Sequence, residues 1–225
     1  MPQTFNCNKD PLSAFRAAKR SISSGGVIVV PTDTVYGLAA DAFQPEAVGR
    51  LLEIKGRTAA PPVLVGSIET FQAIVDVLPE PALALAKRFW PGPLTLVLRT
   101  RPGLLWGDTV AVRIPRHSFL LQLLDEIGPL AVSSANISGR RPALSVRSAR
   151  GSLRDKPAMY IDGDRIDNPD RVPSSIVDLT DFCEDSAGRI FEGVSPKTAQ
   201  PRLLRDGAIP WKSLEKAMQM KLVKQ

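Results

Sequence analysis

A chain of 225 residues with 44% apolar side chains can build one large domain or two small ones around a real core. Its net charge of +6 fits a polyanionic partner such as a nucleotide or RNA without requiring one. The single histidine, His117, leaves no Ser/His/Asp triad that does not use it, and two distant cysteines, Cys7 and Cys183, match no zinc spacing. No apolar run approaches the roughly 20 residues of a membrane helix. The start, MPQTFNCNKDP, has no signal-peptide apolar stretch, so the chain reads as soluble and cytoplasmic, in a compartment where its cysteines stay reduced.

In chain order, Asp10-Pro11 reads as a helix cap followed by proline in the first turn. Leu12, Phe15, Ala18 and Ile22 fall on one face, and Gly25 closes the helix. The stretch from Gly25 to Arg57 organises the rest of the chain. Val27–Val30 is short and β-branched, a buried-strand signal, and Pro31 ends it. Thr32, Asp33 and Thr34 stand at its tip. After Tyr36-Gly37 and a loop, a helix over Pro45–Ile54 delivers Lys55-Gly56-Arg57. Polar side chains at a strand end and two cations at a glycine turn suit an anionic ligand, although cations at a helix C-terminus are also favourable by themselves.

Beyond this, Val63–Val65 reads as a strand, Ser67 as the cap of a helix through Val75, and Pro81–Phe89 as another helix leading into Trp90-Pro91-Gly92-Pro93. Strands come next at Leu94–Arg99 and Val110–Ile114. Alternation puts Arg113 on the face of Ala111 and Thr109; an arginine inside an apolar strand either meets an anion or snorkels at a sheet edge, and Thr109 on the same face favours the anion. A helix over Ser118–Glu126 and a strand at Leu130–Val132 lead into the polar loop Ser133–Gly139, where α/β folds commonly hold ligands. Residues 140–156 carry five arginines and a lysine against Asp155 and read as a mobile or surface basic patch. Strand signals return at Met159–Ile161, Ser175–Leu179, Arg189–Phe191 and Arg202–Leu204, with Arg205 at the last tip. An amphipathic helix over 211–224 closes the chain. Neither a GxxxxGK[ST] loop nor a GxGxxG after a strand is present. The residues alone therefore reach an anion-binding α/β domain with a mixed, twisted sheet.

Seven segments carry a resemblance further: PTDTVYGLAADA, KGR, WPGPLTLVL, TVAVRIP, SSANISG, SSIVDLT and LLRDGAIP. Their order and spacing resemble the YrdC/TsaC family over roughly residues 12–210. The resemblance implies one domain over 1–225, with a twisted α/β sheet curled around a deep, positively charged cavity, followed by the C-terminal helix. It implies synthesis of L-threonylcarbamoyladenylate from L-threonine, bicarbonate and ATP, with pyrophosphate released. ATP is then a substrate and Mg2+ its companion ion, and a partner complex passes the threonylcarbamoyl group to tRNA next to the anticodon. Carried over residue by residue, Lys55, Arg57, Ser134 and Asn136 act on the ATP phosphates and the reacting carboxyl. Thr34, Arg113 and Ser174 contact threonine, and Thr109 and Arg205 contact ATP. Asp33 stands where glutamate is commoner. Pro61 and Gly66 stand where many members carry polar contacts, and residues 181–200 run longer than usual. The short form, without a separate C-terminal domain, is the one resembled. The alternatives are a non-enzymatic RNA-binding paralogue and carbamoyl transfer to another acceptor.

Overall fold

A computed structural model describes residues 1–104, 107–182 and 199–224. It contains two compact units: Met1–Gly66 with Pro115–Val172, and Ser67–Ile114 with Pro173–Gln225.

The first unit is a mixed sheet covered on both faces. Its strands are β1 (Gln3–Asn6), β2 (Ile28–Val30), β3 (Gly37–Asp41), β4 (Val63–Leu64), β7 (Leu130–Ser134) and β8 (Met159–Asp162), in the spatial order β1-β8-β2-β3-β7-β4. β8 runs parallel to β1 and β2; the β2–β3, β3–β7 and β4–β7 pairs are antiparallel. Strand alternation explains two separate cores. Ile28, Val30, Ala39 and Ile161 pack on one face with α1 (Pro11–Ser23) and α5 (Ser118–Ile127). Val27, Val29, Leu38, Ala40 and Tyr160 pack on the other with α2 (Pro45–Lys55) and α6 (Val146–Leu153). A strand buried on both sides reads as an unbroken apolar run, as residues 27–30 do.

The second unit holds β5 (Leu94–Arg99), β6 (Thr109–Arg113), β9 (Ser175–Asp178), β10 (Arg202–Arg205) and β11 (Val223–Lys224), in the order β6-β5-β9-β10-β11. β5 pairs antiparallel with β6 and parallel with β9; β10 is antiparallel to β9 and parallel to β11. Its helices are α3 (Ile68–Ile74), α4 (Glu80–Phe89) and α7 (Trp211–Met218). Trp90 closes α4 by standing edge-on to Phe71 at 4.9 Å and donating its indole N–H to Leu94 O at 2.7 Å.

Several sequence expectations need correction. Leu12 is 57% exposed rather than core; Ala14, Ala17, Ala18 and Ile22 do the burying. Residues 37–41 form a strand, not a loop, and Ser133 and Ser134 belong to β7 because they pair with Leu38 and Gly37. The basic stretch is not a mobile patch throughout. Ser145 caps α6, which buries Val146, Ala149 and Leu153, and Arg150 bonds Pro2 O and Thr4 Oγ1 beneath the Tyr160 ring. The C-terminal helix stops at Met218, where Gln219 turns left-handed, and the chain returns as β11. The strand expected at Arg189–Phe191, Cys183 and most of the 181–200 segment lie outside the described residues. Among those described, no helix is long and apolar enough to cross a membrane.

Candidate functional site

In the first unit the helix ending and the loop after β7 are tied together by Lys55. Gly56, at φ 63°, ends α2, and the amides of Gly56 and Arg57 bond back to Glu53 O and Leu52 O. This places Lys55 in the last helical turn with 2% of its surface exposed. Its ammonium donates to Ser134 O at 2.6 Å, to Ser134 Oγ at 3.3 Å and to Asn136 O. An ammonium has three protons, so this cation is committed to the loop. Ser138 Oγ answers by donating to Lys55 O at 2.8 Å. Burial, with the Arg57 charge adding to it, pulls the Lys55 pKa down to about 8.

Arg57 is half-buried and touches only backbone among the described contacts, Ala59 O at 3.2 Å and Ala60 O at 3.3 Å. Most of its guanidinium protons remain for a ligand. Asn136 is buried at 5% exposure; its Nδ2 donates to Ile137 O at 3.0 Å and Arg140 O at 2.7 Å, and its Oδ1 meets no donor.

The strand-tip threonines belong to the same cluster. Thr32 Oγ1 donates to Val35 O at 2.6 Å and accepts from Thr34 N at 3.1 Å, locking the turn that presents Thr34. Asn168 Nδ2 holds Thr34 O at 2.9 Å. The Gly37–Ser134 register and the Ala135 N to Tyr36 O bond of 2.7 Å bring the 134–136 loop beside this turn. Only glycine serves at 37 without displacement: a Cβ there would lie 2.6 Å from Val132 Cγ1. Lys55, Arg57, Ser134, Asn136 and Thr34, with Thr34 and Asn136 102 positions apart in sequence, thus share one end of one unit.

At Gly66 a Cβ would lie 2.1 Å from Asp125 Oδ1, so the carboxylate takes the space of a side chain. Pro61 is buried, and the neighbouring Pro62 carbonyl accepts from Val132 N at 2.8 Å. The only histidine is a helix cap: His117 Nδ1 accepts from Leu120 N at 3.4 Å, and burial lowers its pKa although the Asp33 charge opposes this.

The second unit gathers a different set. Arg113, 7% exposed, donates through Nε to Gly92 O at 2.9 Å. Arg205 grips Ser174 twice, from Nε to the carbonyl at 2.7 Å and from Nη2 to Oγ at 2.8 Å. Burial, and then the nearby Arg113 charge, lower the Arg205 pKa. A buried and a half-buried guanidinium near each other suit an anion. Thr95, 2% exposed, shares a 2.9 Å hydrogen bond with Ser174 Oγ. Its sequence signal is one hydroxyl in the apolar run LTLVL, too slight to separate it from the strand around it. Thr109 is exposed at the start of β6. It shares the Arg113 face but stands four residues away, about 13 Å along a strand. No described contact joins it to the Arg113–Arg205–Ser174 group.

The Sua5/YciO/YrdC family profile, described as telomere recombination, matches residues 20–187. A Mycobacterium tuberculosis protein, provisionally named threonylcarbamoyl-AMP synthase, is 42% identical over 219 residues, 93% of this chain and 92% of its own. The threonylcarbamoyl-AMP synthase of Pyrococcus abyssi is 37% identical over 212 residues, covering 91% of this chain and 57% of that protein. The crystal structure of P. abyssi Sua5 complexed with L-threonine matches with a TM-score of 0.80 at 33% identity, over 99% of this chain and 62% of that one. The chain therefore spans less than two thirds of the archaeal relative's length.

Proposed function

The chain belongs to the Sua5/YciO/YrdC family, and from that footing we propose that it is a threonylcarbamoyl-AMP synthase, using L-threonine, bicarbonate and ATP. The observation that carries this reading is the Lys55 ammonium, which ties the Lys-x-Arg pair to the Ser-x-Asn loop beside Thr34.

In this reading the threonine nitrogen combines with bicarbonate to give a carbamate and water. A carbamate oxygen then attacks the α-phosphorus, and pyrophosphate leaves. Two anions must approach. At about 4 Å and an effective dielectric of about 20, like unit charges repel by roughly 4 kcal/mol. Arg57 supplies donors for the phosphates, Ser134 a hydroxyl, and Lys55 a buried charge that also fixes the loop. Thr34 is assigned to a threonine contact. Arg113 is assigned to the threonine carboxylate and Ser174 to a threonine contact, with Arg205 and Thr109 assigned to ATP. Holding the reactants in line is worth roughly 7–11 kcal/mol, and no histidine or cysteine nucleophile is required. Magnesium enters with the nucleotide as part of that substrate and neutralises phosphate charge. The product goes on to a tRNA-modifying transfer complex.

Incubation with ATP, L-threonine and bicarbonate should release pyrophosphate only when all three are present, with threonylcarbamoyl-AMP detected by mass spectrometry. Absence of threonine-dependent release refutes the assignment. Strongly salt-sensitive RNA binding without this chemistry would favour the RNA-binding alternative, and product formed from carbamoyl phosphate would favour carbamoyl transfer.

A further inference from the structure

Among the described buried side-chain polar atoms that meet no partner, Asn136 Oδ1 is the one inside the Lys55 cluster. The orientation of this amide is fixed by chemistry. Its Nδ2 faces two carbonyl oxygens, Ile137 O and Arg140 O, and a flipped amide would set oxygen against both. Both of its donor protons are therefore spent inside the loop, and what remains is an acceptor. A buried acceptor without a donor is costly, and it calls for an explanation in the ligand.

ATP phosphate oxygens at neutral pH carry no proton to give, so they do not satisfy this atom. The cations beside it, Lys55 and Arg57, draw the anionic oxygens of phosphate and bicarbonate to themselves. The complementary ligand group is a hydrogen-bond donor, and the amino group of threonine, richer in protons than any other donor on the three substrates, is the one that fits. Asn136 also lies on the loop that register and the Ala135–Tyr36 bond set next to the Thr34 turn. Its oxygen is already withdrawn from water, so an N–H that reaches it displaces no hydrogen bond to solvent.

We infer that Asn136 serves the substrate as an acceptor, its Oδ1 taking a hydrogen bond from the amino group of bound threonine and orienting the nitrogen that receives the carboxyl. This rests on the synthase reading. It assigns Asn136 to the amino acid rather than to the phosphates.

Calorimetric titration of wild type and Asn136→Ala with three ligands separately tests it: L-threonine, ATP, and (R)-3-hydroxybutyrate, which is threonine without its amine. The variant should bind threonine about tenfold more weakly, and ATP and the amine-free analogue as wild type does. Weaker ATP binding with threonine unchanged overturns the inference, as does an equal loss for threonine and the analogue. Because the substitution also removes two loop hydrogen bonds, wild type supplies an arm of its own: it should prefer threonine to the analogue, and equal affinity refutes the inference whatever the variant does. Wild type that binds threonine but fails these comparisons sinks the inference alone. Wild type that binds no threonine sinks the synthase reading, and the inference with it.

Discussion

Replacing Lys55 by methionine tests how the central ammonium is held. Burial first, and the Arg57 charge second, bring its pKa from the ordinary 10.5 to about 8. With the folded value below the unfolded one, the unfolded chain between pH 8 and 10.5 still holds a proton that the folded chain has released. Stability carried by this group therefore rises with pH through that window, and below it the buried charge weighs against the fold. At about 1.4 kcal/mol per unit, the whole displacement is worth roughly 3 kcal/mol. Burial displaces Cys7, Tyr36 and Tyr160 upward too, but these groups are common to both proteins and cancel in the difference. Urea unfolding of wild type and Lys55→Met, at pH 8 and at pH 10.5, should show the wild-type advantage growing by roughly 3 kcal/mol across the interval. A difference that stays flat refutes the buried, proton-releasing ammonium. The same displacement has a binding consequence. Phosphates placed near Lys55 favour its charged form, so ATP should bind with proton uptake within this window, and its affinity should fall as pH rises above about 8.

Arg57→Ala should leave the urea midpoint nearly unchanged, because among the described contacts the side chain touches only two loop carbonyls. It should slow threonine-dependent pyrophosphate release by about 100-fold, the usual loss for a charge-stabilising donor. Arg113→Gln should weaken L-threonine binding by about 10- to 100-fold in calorimetry, while ATP binding alone changes little. Gly207→Ala should destabilise the fold by roughly 1–3 kcal/mol in urea unfolding. A Cβ there would lie 2.5 Å from both Ser174 C and Ser175 N, which are backbone atoms with no rotamer to yield.

Much of the fold was legible where the physics is local. Asp10 accepts from Ser13 N and Ser67 from Thr70 N, as their positions before apolar-periodic segments imply. The β-branched run at 27–30 is a strand buried on both faces, and Gly56 is the left-handed stop that its place after Lys55 suggests. What escaped was β3. Gly37-Leu38-Ala39-Ala40-Asp41 has poor strand propensity, and its pairing with β7 comes from a partner about ninety residues away. Missing it also shortened β7, since Ser133 and Ser134 read as loop until their partners at 38 and 37 are known. The short outer strands β1 and β11 have too few residues to show alternation. Asn168, which holds the Thr34 turn, gave no signal at all, because its contact depends on a chain reversal that composition does not encode.

The candidate site shows the same boundary between residue type and hydrogen-bond direction. The resemblance groups Lys55, Arg57, Ser134 and Asn136 as four like contributors, since each carries a donor. Which donors are still available depends on the loop backbone. Ser134 O and Asn136 O take the Lys55 protons, and Ile137 O and Arg140 O take both Asn136 protons. These carbonyls belong to the last residue of β7 and the turn after it, where backbone amides supply only part of their partners: Asn136 N donates to Ser134 O at 2.8 Å and Arg140 N to Ile137 O at 3.0 Å. Satisfying them uses up the two side chains that looked most suited to phosphate. Arg57, held by exposed loop carbonyls alone among the described contacts, is the member that keeps most of its donors. A cluster of equal contributors thus becomes a frame with a division of labour: charge and loop geometry from Lys55, donors from Arg57, and an acceptor from Asn136.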